Sequence, residues 1–223
     1  MSNLQLFLDS FWPMVKAALL VSVPMMLLSF ALGLIVALLV ALGRMSRFKL
    51  LSTICAGYVW VIRGTPLLVQ IFIIFYGLPS IGVTLTPFVS AILALTISQG
   101  AYNSEVIRGA LMGIPKGQRE APQSLGMTKT QTLFHVIIPQ AALTAVPALG
   151  NSFISLLKDT SLTSVITVLD IFAVAKQISA RTFQPMLLYS EAALVYLIFS
   201  TFLTFLQSAL EKKLGKHLQA DTE

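Results

Sequence analysis

The sequence predicts an all-α membrane protein with five transmembrane helices, folded as a single domain over residues 1–223. The first observation is composition: 56% of the residues are hydrophobic and only 11% are charged, whereas about 25% are charged in an ordinary soluble domain. The second observation is that charged residues separate apolar runs of about 20 residues, the length that a helix needs to cross a bilayer. The net charge of +6 is then the excess of Lys and Arg typical of loops beside a membrane, and not a sign of nucleic-acid binding.

The first predicted span covers residues 17–43, which contain no charged residue and are followed by a cluster of basic residues. The next apolar region is too long for one helix. It is interrupted by the turn-forming sequence YGLPSIGVTLTP, so it divides into a second span over residues 51–77 and a third over residues 87–112. The fourth span covers residues 132–157 and the fifth covers residues 186–210.

The basic residues between the spans predict the orientation of the chain. One side of the membrane receives most of them: Arg44, Arg47, Lys49, Lys116, Arg119, Lys129, Lys212, Lys213 and Lys216. The other side receives Lys158, Lys176 and Arg181. Because Lys and Arg accumulate on the cytoplasmic side, the N-terminus is expected outside, and a solvated C-terminal tail is expected inside.

The polar loop at residues 113–131 predicts a compact helical elbow in the cytoplasm. Pro122 is tolerated in the first turn of a helix, so a short helix is expected to begin at residues 118–121. Gly126 fits the position just after the helix, where a positive φ is common. Thr128 and Gln131 have the spacing of a capping box that begins the next helix.

The run EAPQSLGMTKTQTLFHVIIP resembles the cytoplasmic EAA loop of ABC-transporter permeases. Glu120, Ala121 and Gly126 fit that pattern in register, an isoleucine lies near its expected place ahead of Pro139, and Pro122 replaces the second alanine. The resemblance implies the type I ABC importer permease fold, with residues 113–131 as its coupling loop. It also implies that two copies of an ATPase subunit dock on such elbows and carry ATP and Mg²⁺, so no cofactor is expected on this chain.

Three further runs resemble the permeases that take up polar amino acids such as histidine, glutamine, arginine and cystine: VIRGTPLLVQ, AYNSEVIRGA and NSFISLLKDTSL. The last run, with the later ISARTF, is most similar to the L-cystine permeases. The resemblance implies a multi-pass protein of the bacterial plasma membrane. Its expected partners are a second permease subunit, either identical or a sister chain, an extracytoplasmic amino-acid-binding protein, and the amino acid itself.

Candidate residues for the substrate path lie in two helices and beside one break. Adjacent opposite charges at Lys158 and Asp159 match the two charges of a free amino acid, and the resemblance implies substrate recognition at this motif, which continues through Thr160 and Ser161. The alternative is a charged anchor at the membrane interface. The resemblance also places a substrate-contacting amide near Gln99.

Two other groups of charged residues have a functional and a structural interpretation. Arg63 and Thr65 lie beside Pro66, which removes a helical hydrogen bond and predicts a broken helix lining the path. Alternatively, Arg63 extends to the cytoplasmic interface with its charge in water. Glu105 and Arg108 are three residues apart on a helix, so they are expected to form a structural ion pair, with gating as the alternative.

The chain contains no phosphate-binding loop, so any ATP must bind another polypeptide. The alternatives are a secondary amino-acid transporter or channel that does not use ATP, and a structural membrane subunit without a substrate site. The chain is not expected to be an enzyme. It has two histidines and neither a G-x-S-x-G nor an H-E-x-x-H motif, and therefore no catalytic residue and no metal site are predicted.

Overall fold

The computed structural model describes residues 2–220, apart from the side chains of Arg119 and of residues 214–220. Within that part of the chain the regular structure is helical, as predicted. The ten α-helices are α1 (Asn3–Ala17), α2 (Val23–Arg44), α3 (Lys49–Gly64), α4 (Leu67–Phe72), α5 (Pro87–Gly113), α6 (Gly117–Ser124), α7 (Lys129–Thr132), α8 (Ile138–Asp159), α9 (Ile171–Thr182) and α10 (Pro185–Ala220). Three π-helical turns (Ala18–Ser22, Ile73–Gly77, Leu133–Ile137) and two 3₁₀ turns (Leu78–Ile81, Thr160–Ile166) connect several of them.

The first helix begins much earlier than residue 17. Helices α1 and α2 are joined by a π-helical turn into one element of 42 residues, Asn3–Arg44. A capping box starts it, because the Gln5 amide donates to Ser2 Oγ (3.3 Å) and the Ser2 amide donates to Gln5 Oε1 (3.2 Å). The predicted span at residues 17–43 lies within this element, and the capping box is the sequence signal that marks the earlier start of the helix.

The predicted second span is not one straight helix. Helix α3 ends at Gly64, Thr65 and Pro66 are extended, and the segment Leu67–Ile81 leaves at an angle of 106°. Pro66 has no amide hydrogen to continue the helical ladder. The sequence predicted a break here, and the structure shows a sharp bend.

Helix α5 is the central element, and α2 lies against it at very short range. A β-carbon placed on Gly33 would be 2.8 Å from Gln99 Cβ, and one placed on Gly100 would be 2.5 Å from Val36 Cγ1. Glycine at these two positions therefore permits the close approach. Tyr58 Oη donates to the Ile97 carbonyl (2.6 Å) and ties α3 to the same helix.

The helical elbow that the sequence predicts is present as α6 and its C-terminal turn. The helix begins at Gly117, so Pro122 lies inside it and not in its first turn, which corrects the predicted start. Gly126 has φ +85°, and the Met127 amide donates to the Pro122 carbonyl (3.0 Å), which completes the predicted glycine ending. Thr128 and Gln131 form the predicted capping box.

The last two helices pack with α1 around a second apolar core. The Asp170 side chain caps the N-terminus of α9, and Ile171 and Ala175 are buried against α1 and α10. Helix α10 continues to Ala220, beyond the predicted end at residue 210, so the first part of the predicted solvated tail is helical. The solvation of residues 214–223 falls outside the described side chains.

The count of five spans is not confirmed by length and composition. Three described helices are long and apolar enough to cross a membrane, namely Asn3–Arg44, Lys129–Ile166 and Pro185–Lys213, and the bent pair α3 and α4 would make a fourth. Helix α5 has 27 residues but is less apolar, because its interior includes the buried Ser98, Gln99, Asn103 and Ser104. Its polarity follows from facing other helices more than lipid.

Candidate functional site

A polar cavity of about 440 Å³ lies between α5 and α8. Two leucines contribute apolar surface to it: Leu67, the first residue of α4, and Leu162, in the 3₁₀ turn that follows α8. The remaining lining residues are Ser98, Gln99, Tyr102, Ala148, Asn151, Ser152, Ser155 and Asp159. A cavity with hydroxyl, amide and carboxylate groups among otherwise apolar helices can hold a small polar ligand.

The α8 wall of this cavity is a stripe of small and polar residues at helical spacing. Residues 148, 152, 155 and 159 are three or four apart, and Asn151 lies beside Ser152, so one face of the helix presents Ala148, Asn151, Ser152, Ser155 and Asp159. Of these, only Asp159 was singled out from the sequence for this role. The period-3.6 polar stripe within an apolar helix is the signal that would have found the others.

Gln99 lines the cavity from the α5 side. Its side chain is 6% exposed, and its Oε1 accepts a hydrogen bond from Asn103 Nδ2 (3.1 Å). The Gln99 amide nitrogen is therefore the group available to a ligand. Tyr102, one turn along, also lines the cavity.

The structure separates the four residues 158–161. Asp159 lines the cavity, whereas Lys158 is exposed and does not belong to the cavity wall. Thr160 is completely buried and donates to the Leu157 carbonyl (2.7 Å), and Ser161 donates to the Lys158 carbonyl (2.7 Å). The two hydroxyl groups stabilise the end of α8, so the structure brings one of the four side chains to the cavity.

Arg63 and Thr65 lie beside the bend and outside the cavity lining. Arg63 Cζ lies 5.4 Å from the centroid of the Tyr102 ring, close enough for a cation–π contact. The Thr65 hydroxyl donates to the Val61 carbonyl (2.9 Å) and accepts from Gln70 Nε2 (3.0 Å). Arg63 thus contacts Tyr102, which lines the cavity, but does not itself line the cavity. Thr65 takes part in the hydrogen bonds at the bend.

The Glu105 carboxylate forms ion pairs with two arginine side chains. Its Oε2 lies 2.8 Å from Arg108 Nη2, and its Oε1 accepts a hydrogen bond from Arg44 at the end of α2. Arg44 was not expected in this cluster, because a contact between residues so far apart in sequence gives no local signal. The three charges connect α2 to α5 beside a separate cavity of about 410 Å³ that Arg44 and Arg108 line.

Glu191, which falls within the predicted fifth span, is buried between α1 and α10. It is 1% exposed, and its Oε2 lies 2.6 Å from Ser10 Oγ. Ser10 Oγ also donates to the Leu6 carbonyl (2.6 Å). The contact between Glu191 and Ser10 therefore joins α10 to α1, away from the cavity lining.

The elbow presents its sequence-predicted residues to solvent. Glu120 and Ala121 of α6 and the following Gly126 are exposed, and Leu125 is 86% exposed. Pro139 is also exposed, but it lies outside the elbow, in the first turn of α8. The elbow is fixed to the base of α8 by a hydrogen bond from Gln140 Nε2 to Gln118 Oε1 (3.1 Å). A short rigid helix with an exposed leucine and an acidic residue can serve as a protein contact.

Asp170 combines a structural cap with a buried charge. Its carboxylate accepts from the Ala173 amide (2.9 Å), the Phe172 amide (3.2 Å) and Tyr196 Oη (2.7 Å). Burial raises the pKa of the Asp170 carboxyl, and these hydrogen bonds, led by that of Tyr196, oppose the rise. Among the side chains that the structure describes, no group of three His, Cys, Asp or Glu is placed to hold a metal ion.

A comparison with protein families matches residues 29–216 to the binding-protein-dependent transport system inner membrane component. This chain belongs to that family. The match covers both the cavity and the elbow, and it confirms the resemblance to ABC-transporter permeases that the elbow sequence indicated.

Curated relatives cover nearly the whole chain. The L-cystine transport system permease protein TcyB of Bacillus subtilis (strain 168) is 46% identical over 211 residues, covering 94% of this chain and 90% of that protein. The glutamine transport system permease protein GlnP of Escherichia coli (strain K12) is 35% identical over 189 residues, covering 84% of this chain and 86% of that protein. Each is a protein to which this chain is similar.

Solved structures confirm the predicted fold class. A chain from the crystal structure of an amino acid ABC transporter with histidines matches with a TM-score of 0.83 and 34% identity, covering 94% of each chain. A chain of the MetNI methionine ABC transporter, in an inward-facing conformation, matches with a TM-score of 0.69 at 18% identity, covering 95% of this chain and 97% of that chain. The second match concerns the fold alone.

Proposed function

We propose that this chain is the permease subunit of an ATP-driven importer of polar amino acids, with L-cystine as the first candidate substrate. The observation that carries the proposal is the polar cavity between α5 and α8 in a chain that is 46% identical to an L-cystine permease over 94% of its length. The names of the relatives indicate the class of substrate, and the cavity is the proposed binding site for that substrate.

The cavity offers groups that are complementary to an amino acid. The Asp159 carboxylate accepts hydrogen bonds from an ammonium group, and such charge-assisted bonds are stronger than neutral ones. The Gln99 amide nitrogen donates to a carboxylate, and the serine hydroxyls of α8 accept or donate as the side chain of the substrate requires. Tyr102, with Arg63 above its ring, forms the adjoining wall.

The elbow is the proposed contact with an ATPase subunit. Glu120 of α6 and Leu125, which follows the helix, are exposed, and α6 is hydrogen-bonded to the base of α8, the helix that carries Asp159. A movement imposed on α6 therefore passes into a wall of the cavity. Two ATPase subunits would act on two paired permease subunits, and the cavity would face the binding protein and the cytoplasm alternately.

The proposed orientation follows the basic residues. The N-terminus and the segment 158–185 face the extracytoplasmic side of a bacterial plasma membrane, where a solute-binding protein delivers the amino acid. The elbow and the C-terminus face the cytoplasm. Helix α5 and the bent pair α3 and α4 each cross the membrane in this arrangement, which makes five spans.

Reconstitution tests the proposal. The complete transporter is placed in lipid vesicles with its ATPase and binding protein, and uptake of radiolabelled cystine, arginine, glutamine and histidine is measured with and without ATP. The proposal expects uptake of cystine that requires ATP. Uptake driven by an ion gradient in the absence of ATP would identify a secondary transporter, and ATP-dependent uptake of another amino acid would correct the substrate.

A further inference from the structure

The bend between α3 and α4 leaves backbone carbonyls without helical partners. In a continuous helix, the amide of residue 66 would donate to the Ile62 carbonyl, but Pro66 has no amide hydrogen. The two residues between the helices are extended and interrupt the helical hydrogen bonds further: Thr65 has φ −119° and ψ 145°, and Pro66 has φ −63° and ψ 136°. Within a membrane, carbonyls of this kind must find partners inside the protein.

The side chain of Gln70 supplies those partners. Its Nε2 donates to the Ile62 carbonyl (2.8 Å), to the Thr65 carbonyl (3.1 Å) and to Thr65 Oγ1 (3.0 Å). Two of these oxygens are carbonyls that can only accept, so the nitrogen must face them. The Gln70 side chain is 7% exposed, and its Oε1 has no hydrogen-bond partner in the part of the chain that the structure describes. The amide nitrogen alone holds the side chain across the bend.

The bend determines where two neighbours of the cavity lie. Leu67, at the start of α4, is part of the cavity wall, and Arg63, near the end of α3, lies over the ring of Tyr102. Ile71 follows Gln70 and is completely buried in the main apolar core, which anchors α4. A change in the angle between α3 and α4 would therefore move Arg63 relative to a wall that stays in place.

We propose that Gln70 is a positioning residue of the translocation path. Its amide replaces the helical hydrogen bond that Pro66 removes, and thereby fixes the bend that places Leu67 and Arg63 at the cavity. This proposal rests on the proposed function, because it assumes that the cavity is part of a translocation path for an amino acid. It does not make Gln70 a substrate contact, since Gln70 is absent from the cavity lining.

The test combines a distance measurement with transport. Spin labels are attached to cysteines at Trp60 and Ile73, two exposed positions on either side of the bend, in the complete transporter with Cys55→Ala. Gln70→Met keeps the approximate length of the side chain and removes both donor hydrogens. We expect it to broaden the distance distribution and to lower ATP-dependent uptake about tenfold, the effect of one buried hydrogen bond on a conformational equilibrium.

Two further variants give the comparison its controls. Val69→Met makes the same residue at an exposed neighbouring position and should leave both the distances and the uptake unchanged. Pro66→Ala restores an amide hydrogen that can bond to the Ile62 carbonyl, so Gln70→Met should have little further effect on the distances when added to it. This lack of additivity is the signature of a shared hydrogen-bonding role.

Three results would overturn the proposal: an unchanged distance distribution in Gln70→Met, a changed distribution with normal uptake, or loss of the complex with normal distances in the fraction that remains folded. The last would indicate a role in folding alone. If the wild-type transporter imports none of the tested amino acids, the proposed function fails, and the distances still decide whether Gln70 fixes the bend.

Discussion

Lys158 and Asp159 are neighbours in sequence, but their side chains have different surroundings. Successive residues on an α-helix point about 100° apart, and near the end of α8 this rotation places Asp159 at the cavity and leaves Lys158 exposed elsewhere. The sequence alone treated the pair as one recognition element for both charges of an amino acid. In the proposed function, Asp159 is therefore the partner of the ammonium group, and the carboxylate is left to groups on α5.

Substitution of these two residues should therefore have unequal effects. Asp159→Asn keeps the shape and removes the charge, so ATP-dependent uptake should fall about tenfold to a hundredfold at low substrate concentration, since a hydrogen bond to a charged group contributes about 1.5–3 kcal/mol. Lys158→Met should leave uptake nearly unchanged. Uptake is measured in vesicles with the binding protein in excess. Equal losses in both variants, or none in Asp159→Asn, would contradict this division.

For individual residues, the sequence predicts which side chains belong to a candidate site better than it predicts which residues contact each other. Gln99 and Asp159 were identified by their types and motif, and the structure brings both to one cavity. Arg44 could not be assigned to Glu105, because their contact joins α2 to α5 across a long stretch of chain. Gln70 was inside a recognised motif, but its role depends on carbonyl groups that only the bend exposes.

Among the elements, the elbow depends on one backbone conformation. Gly126 has φ +85°, a region in which a residue with a β-carbon is strained by about 1–2 kcal/mol, and a β-branched residue by more. Gly126→Val should distort the end of α6 and reduce co-purification of the ATPase, while Gly126→Asn should retain most of it because asparagine tolerates this conformation. Full recovery of the ATPase with Gly126→Val would show that docking does not depend on this turn.

Helix α9 carries a pH-dependent cap. Because burial raises the folded-state pKa of Asp170, the folded chain binds that proton more tightly than the unfolded chain. The contribution of this proton to stability is present at low pH, and it is lost as the pH rises from the unfolded-state pKa, about 4, through the raised folded-state value.

Asp170→Asn should remove this dependence without removing the cap, because asparagine is an equally good N-cap residue. The thermal unfolding temperature of the detergent-solubilised protein, measured from pH 4 upward, should fall less steeply with pH in the variant than in the wild type. Parallel curves for the two proteins would mean that Asp170 does not bind its proton differently in the folded state.

Element boundaries were predictable where a local signal exists and wrong where packing decides. The capping box at Thr128 and the glycine ending at Gly126 were both read from the sequence and are both present. Helix α6 nevertheless begins before its predicted start and includes Pro122, and no local signal in the sequence marks this earlier start. The bend at Pro66 was expected, but its angle depends on the Gln70 side chain.

For the whole molecule, apolar length alone does not define the number of membrane crossings. Helix α5 lies at the centre and carries buried polar groups that line the cavity and bond to each other, so its composition differs from that of a lipid-facing span. The same polarity that suits it to a transport path lowers its hydropathy. Orientation therefore needs a direct measurement.

Accessibility of introduced cysteines tests the orientation. In a Cys55→Ala background, Gln123→Cys on the elbow should react with a membrane-impermeant thiol reagent only after the plasma membrane is opened. Lys176→Cys on α9 should react while that membrane is sealed. Both positions are exposed in the folded chain, and cells that lack the ATPase subunit are used so that a docked partner does not cover the elbow. Reaction of Gln123→Cys behind a sealed membrane would contradict the proposed topology.

If the cavity between α5 and α8 binds the transported amino acid, substrate should protect a cysteine in its wall from modification, and this protection is the most direct test. Ser155→Cys, in the Cys55→Ala background of the assembled transporter, is treated with a small thiol reagent during turnover, with and without cystine-loaded binding protein. Thr144→Cys, exposed on the same helix outside the cavity, is the control. We predict that substrate slows modification at position 155 and leaves position 144 unaffected. Equal rates with and without substrate at position 155, in a variant that still transports, would contradict the claim.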